Sequence, residues 1–98
     1  ENVWFFKEAM EMPAMRKAVN LALEKVDGCG GIFCGNDTDG YKYIIGTRTK
    51  DARTLAAALK EAFGARGGGS AQMVQGAVAA SAEAIQTVLD EAAGEGLV

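Results

Sequence analysis

Four glycines fall within the six positions Gly64 to Gly69, and three of them, Gly67, Gly68 and Gly69, are consecutive. Glycine reaches positive φ without a Cβ clash, yet it gives up the most backbone entropy on folding. A run of three inside a folded domain therefore needs a reason. One reason is geometric: a helix stop followed by a tight left-handed connection into a strand. The other is functional: a backbone that lets another molecule come close. Successive exposed N–H groups in such turns form anion-binding concavities, and the guanidinium of Arg66 is a fork suited to phosphate. Both readings stand at this level. A Walker loop is excluded, because no Gly-Lys-Ser/Thr closes the run and no strand precedes it.

The rest of the chain is ordinary enough to make that run stand out. Ninety-eight residues, 49% of them hydrophobic and 23% charged, make one small soluble domain near the marginal end of stability. No apolar run reaches the length of a membrane span, so no membrane partner is expected. No signal peptide is visible, and a cytoplasmic location is expected. The chain begins at Glu1 rather than Met, and residues 1–98 read as a single domain of a longer protein. A formal net charge of −3 argues against a broad basic face, so any RNA contact should be local. Cys29 and Cys34 lack the further ligands that a structural zinc site needs, and they read as buried free thiols in a reducing compartment.

In chain order, Asn2 to Phe6 reads as a strand with enough apolar character to be covered on both faces. Pro13 sits where helices accept proline, at the first position. Met15, Ala18, Val19, Ala22 and Val26 then form one helical stripe, with Asp27-Gly28 as its expected left-handed stop. Gly31 to Gly35 and Tyr41 to Arg48 read as an antiparallel hairpin around Asn36-Asp37-Thr38-Asp39-Gly40, with Tyr41, Tyr43 and Ile45 on one face. That turn is not a calcium loop. With Gly40 as its sixth residue, the first and twelfth ligand positions would fall on Gly35 and Gly46, which offer no carboxylate. Asp51 is a good N-cap for a second helix carrying Leu55, Ala58, Leu59, Ala62 and Phe63, and Gly64 stops it. Met73 to Val78 reads as the last strand. Ser81 caps a third helix with Ile85, Val88, Leu89 and Ala92 inward and Glu83 in its first turn. Gly94 ends that helix, and Gly96 to Val98 form a tail. The fold class expected is α/β: a mixed four-stranded sheet packed with three helices, in the order β-α-β-β-α-β-α.

Two segments carry a family resemblance. Arg66-Gly67-Gly68-Gly69-Ser70 with Met73-Val74-Gln75-Gly76 resembles the glycine-rich signature of the DHH-associated C-terminal domain. That domain ends alanyl-tRNA synthetases and the long form of their free-standing editing relatives, the AlaX-type proteins. Gly40-Tyr41-Lys42-Tyr43-Ile44-Ile45-Gly46-Thr47-Arg48 is similar to the same family, more closely to the editing proteins. Together with the elements between them, the two segments cover most of Asp37 to Ile85.

The resemblance implies an accessory domain that contacts alanine-specific tRNA, packs on the rest of its own polypeptide, or joins two copies as a homodimer. In the editing proteins, mischarged tRNA is hydrolysed by a separate domain holding zinc through His and Cys. This chain has no His, so it is expected to carry no cofactor, and the zinc would belong to another domain of the parent protein. The matched positions suggest Arg66, Gly67, Gly68, Gly69 and Ser70 in the glycine run, and Tyr41, Lys42 and Arg48 in the strand, as RNA- or phosphate-binding residues. No catalytic residue is expected: no imidazole base exists, and Ser70, Thr47, Thr49 and Ser81 have no evident base partner. Two alternatives remain, the first a nucleic-acid- or nucleotide-binding domain of a DHH-type phosphoesterase. In DHH phosphoesterases the related domain carries a histidine after its glycine run, where this chain has Ser70, and that departure weighs against the first alternative. The second is a purely structural dimerisation module, which the acidic balance favours.

Overall fold

The computed structural model describes residues 2–94, with side chains through residue 92. Glu1 and the tail at Gly96 to Val98 lie outside the described residues. Eight elements follow one another: β1 (Val3–Lys7), α1 (Met12–Leu23), β2 (Cys29–Asn36), β3 (Gly40–Thr47), α2 (Ala52–Phe63), β4 (Arg66–Gly69), β5 (Met73–Val78) and α3 (Ala82–Gly94). The strands form one mixed sheet in the order β1-β2-β3-β5-β4. β1 and β2 are parallel, and the other three pairs are antiparallel.

The sheet has five strands rather than the four expected, and the added strand is the glycine run itself. Arg66–Gly69 pairs antiparallel with β5 as an edge strand. Glycine weakens strands, so the pairing draws its stability from the surroundings. Tyr43, Gly76 and Gly67 stand opposite one another across β3, β5 and β4. The fully buried Tyr43 ring crosses Gly76 and ends at Gly67, where an added Cβ would collide with the Tyr43 hydroxyl and stand 2.7 Å from the Gln75 carbonyl oxygen. A Cβ on Gly76 would run into the Arg66 carbonyl. These two glycines are packing requirements.

Alternation along the strands separates two cores. On one face, Phe33, Tyr43, Ile45 and Val74 meet Leu55 and Leu59 of α2 and Ile85 and Leu89 of α3, all at most 1% exposed. On the other, Met15, Val19 and Leu23 of α1 cover Ile32, Cys34 and Ile44. Cys29 and Cys34 are free and buried, as expected. β1 is an edge strand, and Phe5 is 39% exposed, so it is not covered on both faces.

α1 starts at Met12, with Pro13 in its first turn. It stops at Leu23, not at Gly28, because Glu24 N–H and Lys25 N–H donate to the carbonyls three residues back and tighten the end. Gly28 does not take positive φ. In α2, Ala56 is buried where Ala62 was expected, and Phe63 is half-buried. Its caps are as expected: the Asp51 carboxylate accepts from Arg53 N–H at 3.0 Å, and Gly64 closes it at φ +68°. At α3, Ser81 Oγ accepts from Ala84 N–H at 3.1 Å. Asp37, at the tip of the β2–β3 hairpin, accepts from Ala82 N–H at 2.9 Å and from the Tyr41 hydroxyl at 2.6 Å. That carboxylate ties the hairpin to the start of α3, and the two donors hold its pKa below the ordinary value.

Candidate nucleic-acid interface

α1 packs chiefly on β2 and β3. The same face of β5 and β4 is therefore left open, which an antiparallel sheet tolerates. Its floor is small and polar: Gln75, Ala77 and Gly68 are all exposed. Register sets the cations on it. Lys7, Cys34, Lys42, Ala77 and Arg66 stand opposite one another, one from each strand. Alternation puts Lys42 and Arg66 on the open face, separated by two strand spacings, roughly 10 Å. Arg16 comes in from the side of α1, where its Nη2 donates to Gln75 Oε1 at 2.8 Å. Lys7 and Lys42 flank Cys34, whose thiol is pushed up by burial and partly pulled back by the two ammonium groups.

Among the described residues, none of Lys7, Arg16, Lys42 and Arg66 forms an ion pair; the pair present is Arg53–Asp51, on the far side of the sheet's length. Glu8 and Glu11 lie in the connection after Lys7, so the cationic centre sits at Lys42, Arg16 and Arg66. Unpaired guanidinium groups beside a flat floor suit phosphate oxygens, which they can bind through two parallel hydrogen bonds.

Gly68 adds a second feature. It pairs with Gln75 on this face, and a Cβ built there meets nothing within 4 Å. Gly67 and Gly76 are spoken for by Tyr43 and the neighbouring backbone, whereas packing within the chain does not demand a glycine at 68. Only here does the run leave free space above its backbone on the cationic side.

Of the residues suggested by the sequence, Lys42, Arg66 and Gly68 come together. Gly67 faces the other side, toward Tyr43, and Gly69 shares that side by alternation. Ser70 shapes the β4–β5 turn: its N–H donates to the Met73 carbonyl at 2.9 Å, and its Oγ accepts from Met73 N–H at 3.3 Å. Tyr41 is not on the open face, although it lines the cleft at the end of the sheet together with Lys42 and Arg66. It is buried on the α2–α3 side, stacks edge-on against Phe6 and gives its hydroxyl to Asp37. Arg48 lies past the other end of β3, about 20 Å along the strand from Lys42. Arg16 and Lys7, which the structure places near Lys42, are not among the residues the sequence singles out. Arg16 lies off the apolar stripe of α1, and no local signal says which strand a helix flank will face.

At the end of the sheet nearest Lys42 and Arg66 the surface is concave. A cleft of about 520 Å3 opens there between the hairpin tip, the C-terminal ends of β5 and α2, and the start of β4. Lys42, Arg66 and Ala77 belong to both the cleft and the open face.

No protein-family model matches the chain, and no curated protein matches it. A solved structure does. The C-Ala domain from Aquifex aeolicus alanyl-tRNA synthetase superposes with a TM-score of 0.72 at 17% identity, over 92% of this chain and 87% of that one. This chain is similar to that domain in fold.

Proposed function

We propose that this chain is an accessory RNA-binding domain of a protein related to alanyl-tRNA synthetases, and that it holds the tRNA backbone on the open half of its sheet. The observation that carries this reading is the set of three cations, Lys42, Arg16 and Arg66, which have no carboxylate partner among the described residues, around the open floor at Gly68. Its support from outside the chain is the likeness in fold to a domain of an alanyl-tRNA synthetase. The parent is an aminoacyl-tRNA ligase or, as the sequence segments suggest, a cytoplasmic AlaX-type editing protein whose zinc chemistry belongs to a different domain. A net charge of −3 fits a local contact. With three cations engaged, log Kd should change with log salt by a slope of magnitude about 2–3.

The test is tRNA binding by charge-reversed variants, measured by fluorescence anisotropy at low salt. Lys42→Glu and Arg66→Glu should each weaken binding at least tenfold, with unchanged melting temperature. Arg48→Glu, at the other end of β3, should bind as wild type. Gly68→Val should also bind weakly while folding as well as or better than wild type, since glycine is a poor strand residue and a Cβ there has room. Equal loss from Arg48→Glu, or none from the first two, would overturn the reading.

A further inference from the structure

We infer that the cleft at the end of the sheet accepts one unstacked nucleotide of the bound RNA. The inference rests on the RNA-binding reading and adds a second mode of contact to it. A regular duplex lies against a flat floor, and its paired bases cannot enter a concavity. Sequence-independent contact with the open face therefore leaves the cleft empty.

The size and the arrangement of its walls suit an extruded nucleotide. At about 520 Å3 the cleft, open to solvent on its outer side, has room for one nucleotide. Its two sides differ. On the open-face side stand Lys42 and Arg66, the cations that would hold the phosphates flanking the extruded residue. On the other side the half-buried Phe63 ring and the exposed Ala79 give an apolar edge of the kind on which a splayed base packs. Asp39 lies at the hairpin tip. Its Oδ2 accepts from Asn36 Nδ2 at 3.1 Å, and among the described residues its Oδ1 has no donor. A carboxylate repels phosphate and accepts from the N–H groups of a base edge. The polarity of the cleft thus orients the nucleotide, phosphate toward Lys42 and Arg66 and base toward Asp39 and Phe63.

The probes are a fully paired short RNA duplex, the same duplex with one bulged nucleotide, the bulged duplex with an abasic residue at the bulge, and a nucleoside monophosphate alone. Affinities are read by anisotropy, with competition for the monophosphate. Wild type should bind the bulged duplex about tenfold more tightly than the paired one, the gain expected of a single packed base. The abasic bulge should lose that gain. Ala79→Leu, which plugs the cleft from an exposed loop position without changing charge, should bind bulged and paired duplexes alike while melting as wild type. Equal wild-type affinity for the two duplexes, with both weakened by Arg66→Glu, would overturn the cleft inference and leave the open-face reading standing. A monophosphate that competes as well as the bulged duplex would overturn it in favour of a free-nucleotide site. Failure of every RNA to bind would remove both.

Discussion

Tyr43→Phe should stabilise this protein. The Tyr43 side chain is fully buried as it reaches from β3 toward β4, and among the described residues its hydroxyl has no hydrogen-bond partner. Burial also pushes its pKa up. A buried hydroxyl left unsatisfied costs about 1–3 kcal/mol. The ring does the packing: it fills the trough over Gly76 and Gly67 and lies tilted against Phe33, with ring centroids 5.7 Å apart. Phenylalanine keeps the ring and removes one oxygen, so little cavity is created. The expected net gain is about 1 kcal/mol, which raises the melting temperature of a domain of this size by about 4–8 °C. Urea and thermal unfolding followed by circular dichroism give both numbers. The same geometry predicts coupling. Gly67→Ala places a methyl against the Tyr43 hydroxyl and should cost about 1–3 kcal/mol by overpacking. In the Tyr43→Phe background part of that clash is gone, so the double mutant should be more stable than the sum of the singles by about 0.5 kcal/mol or more. A Tyr43→Phe variant destabilised by 1 kcal/mol, or strict additivity with Gly67→Ala, would refute the view that this ring shapes β4.

The remaining expectations are briefer. Asp37 has its folded pKa depressed by the Tyr41 hydroxyl and Ala82 N–H, so its contribution is complete above the unfolded value of about 3.9 and is lost as pH falls through the folded value. The melting temperature should therefore fall more steeply below about pH 4 in wild type than in Asp37→Asn. Leu59→Ala, at a fully buried site, should cost about 2–5 kcal/mol in urea unfolding, and Phe63→Ala should cost less than the roughly 3–5 kcal/mol of a fully buried ring because it is half-buried. Gly64→Ala should cost about 1–2 kcal/mol through backbone strain alone, since φ is +68° and a Cβ there touches nothing.

The helices and the hairpin were legible because periodicity reports burial directly. Tyr41, Tyr43 and Ile45 share the face that α2 and α3 cover, and Asp51, Gly64 and Ser81 act as the caps their chemistry suggests. β4 was not legible. Its four residues have no strand preference of their own, and the reason for them lies in Tyr43, more than twenty positions away in sequence, and in Gly76. The end of α1 was misplaced for a related reason: Val26 continues the stripe, but the last turn closes on bonds to Leu21 and Ala22. In the candidate site, Lys42 and Arg66 meet because two antiparallel pairings bring them into one register with Ala77 between them. Tyr41 lies on the opposite face of the sheet because it is one residue away from Lys42 in a strand, and it meets Lys42 and Arg66 only in the lining of the end cleft. Arg16 joins from a helix flank, and the side of α1 that faces β5 is a tertiary fact.

The central claim is that RNA lies on the open half of the sheet, on the side of Lys42 and Arg66. Backbone amide shifts of isotopically labelled protein, followed by NMR during titration with tRNA, test it most directly. The account predicts that the largest changes fall on Lys42, Arg66, Gly68, Gln75 and Ala77, with Arg16 beside them and little change in α3 or in α2 ahead of Phe63. Changes centred instead on Arg48 to Arg53, or spread along the outer faces of α2 and α3, would contradict it.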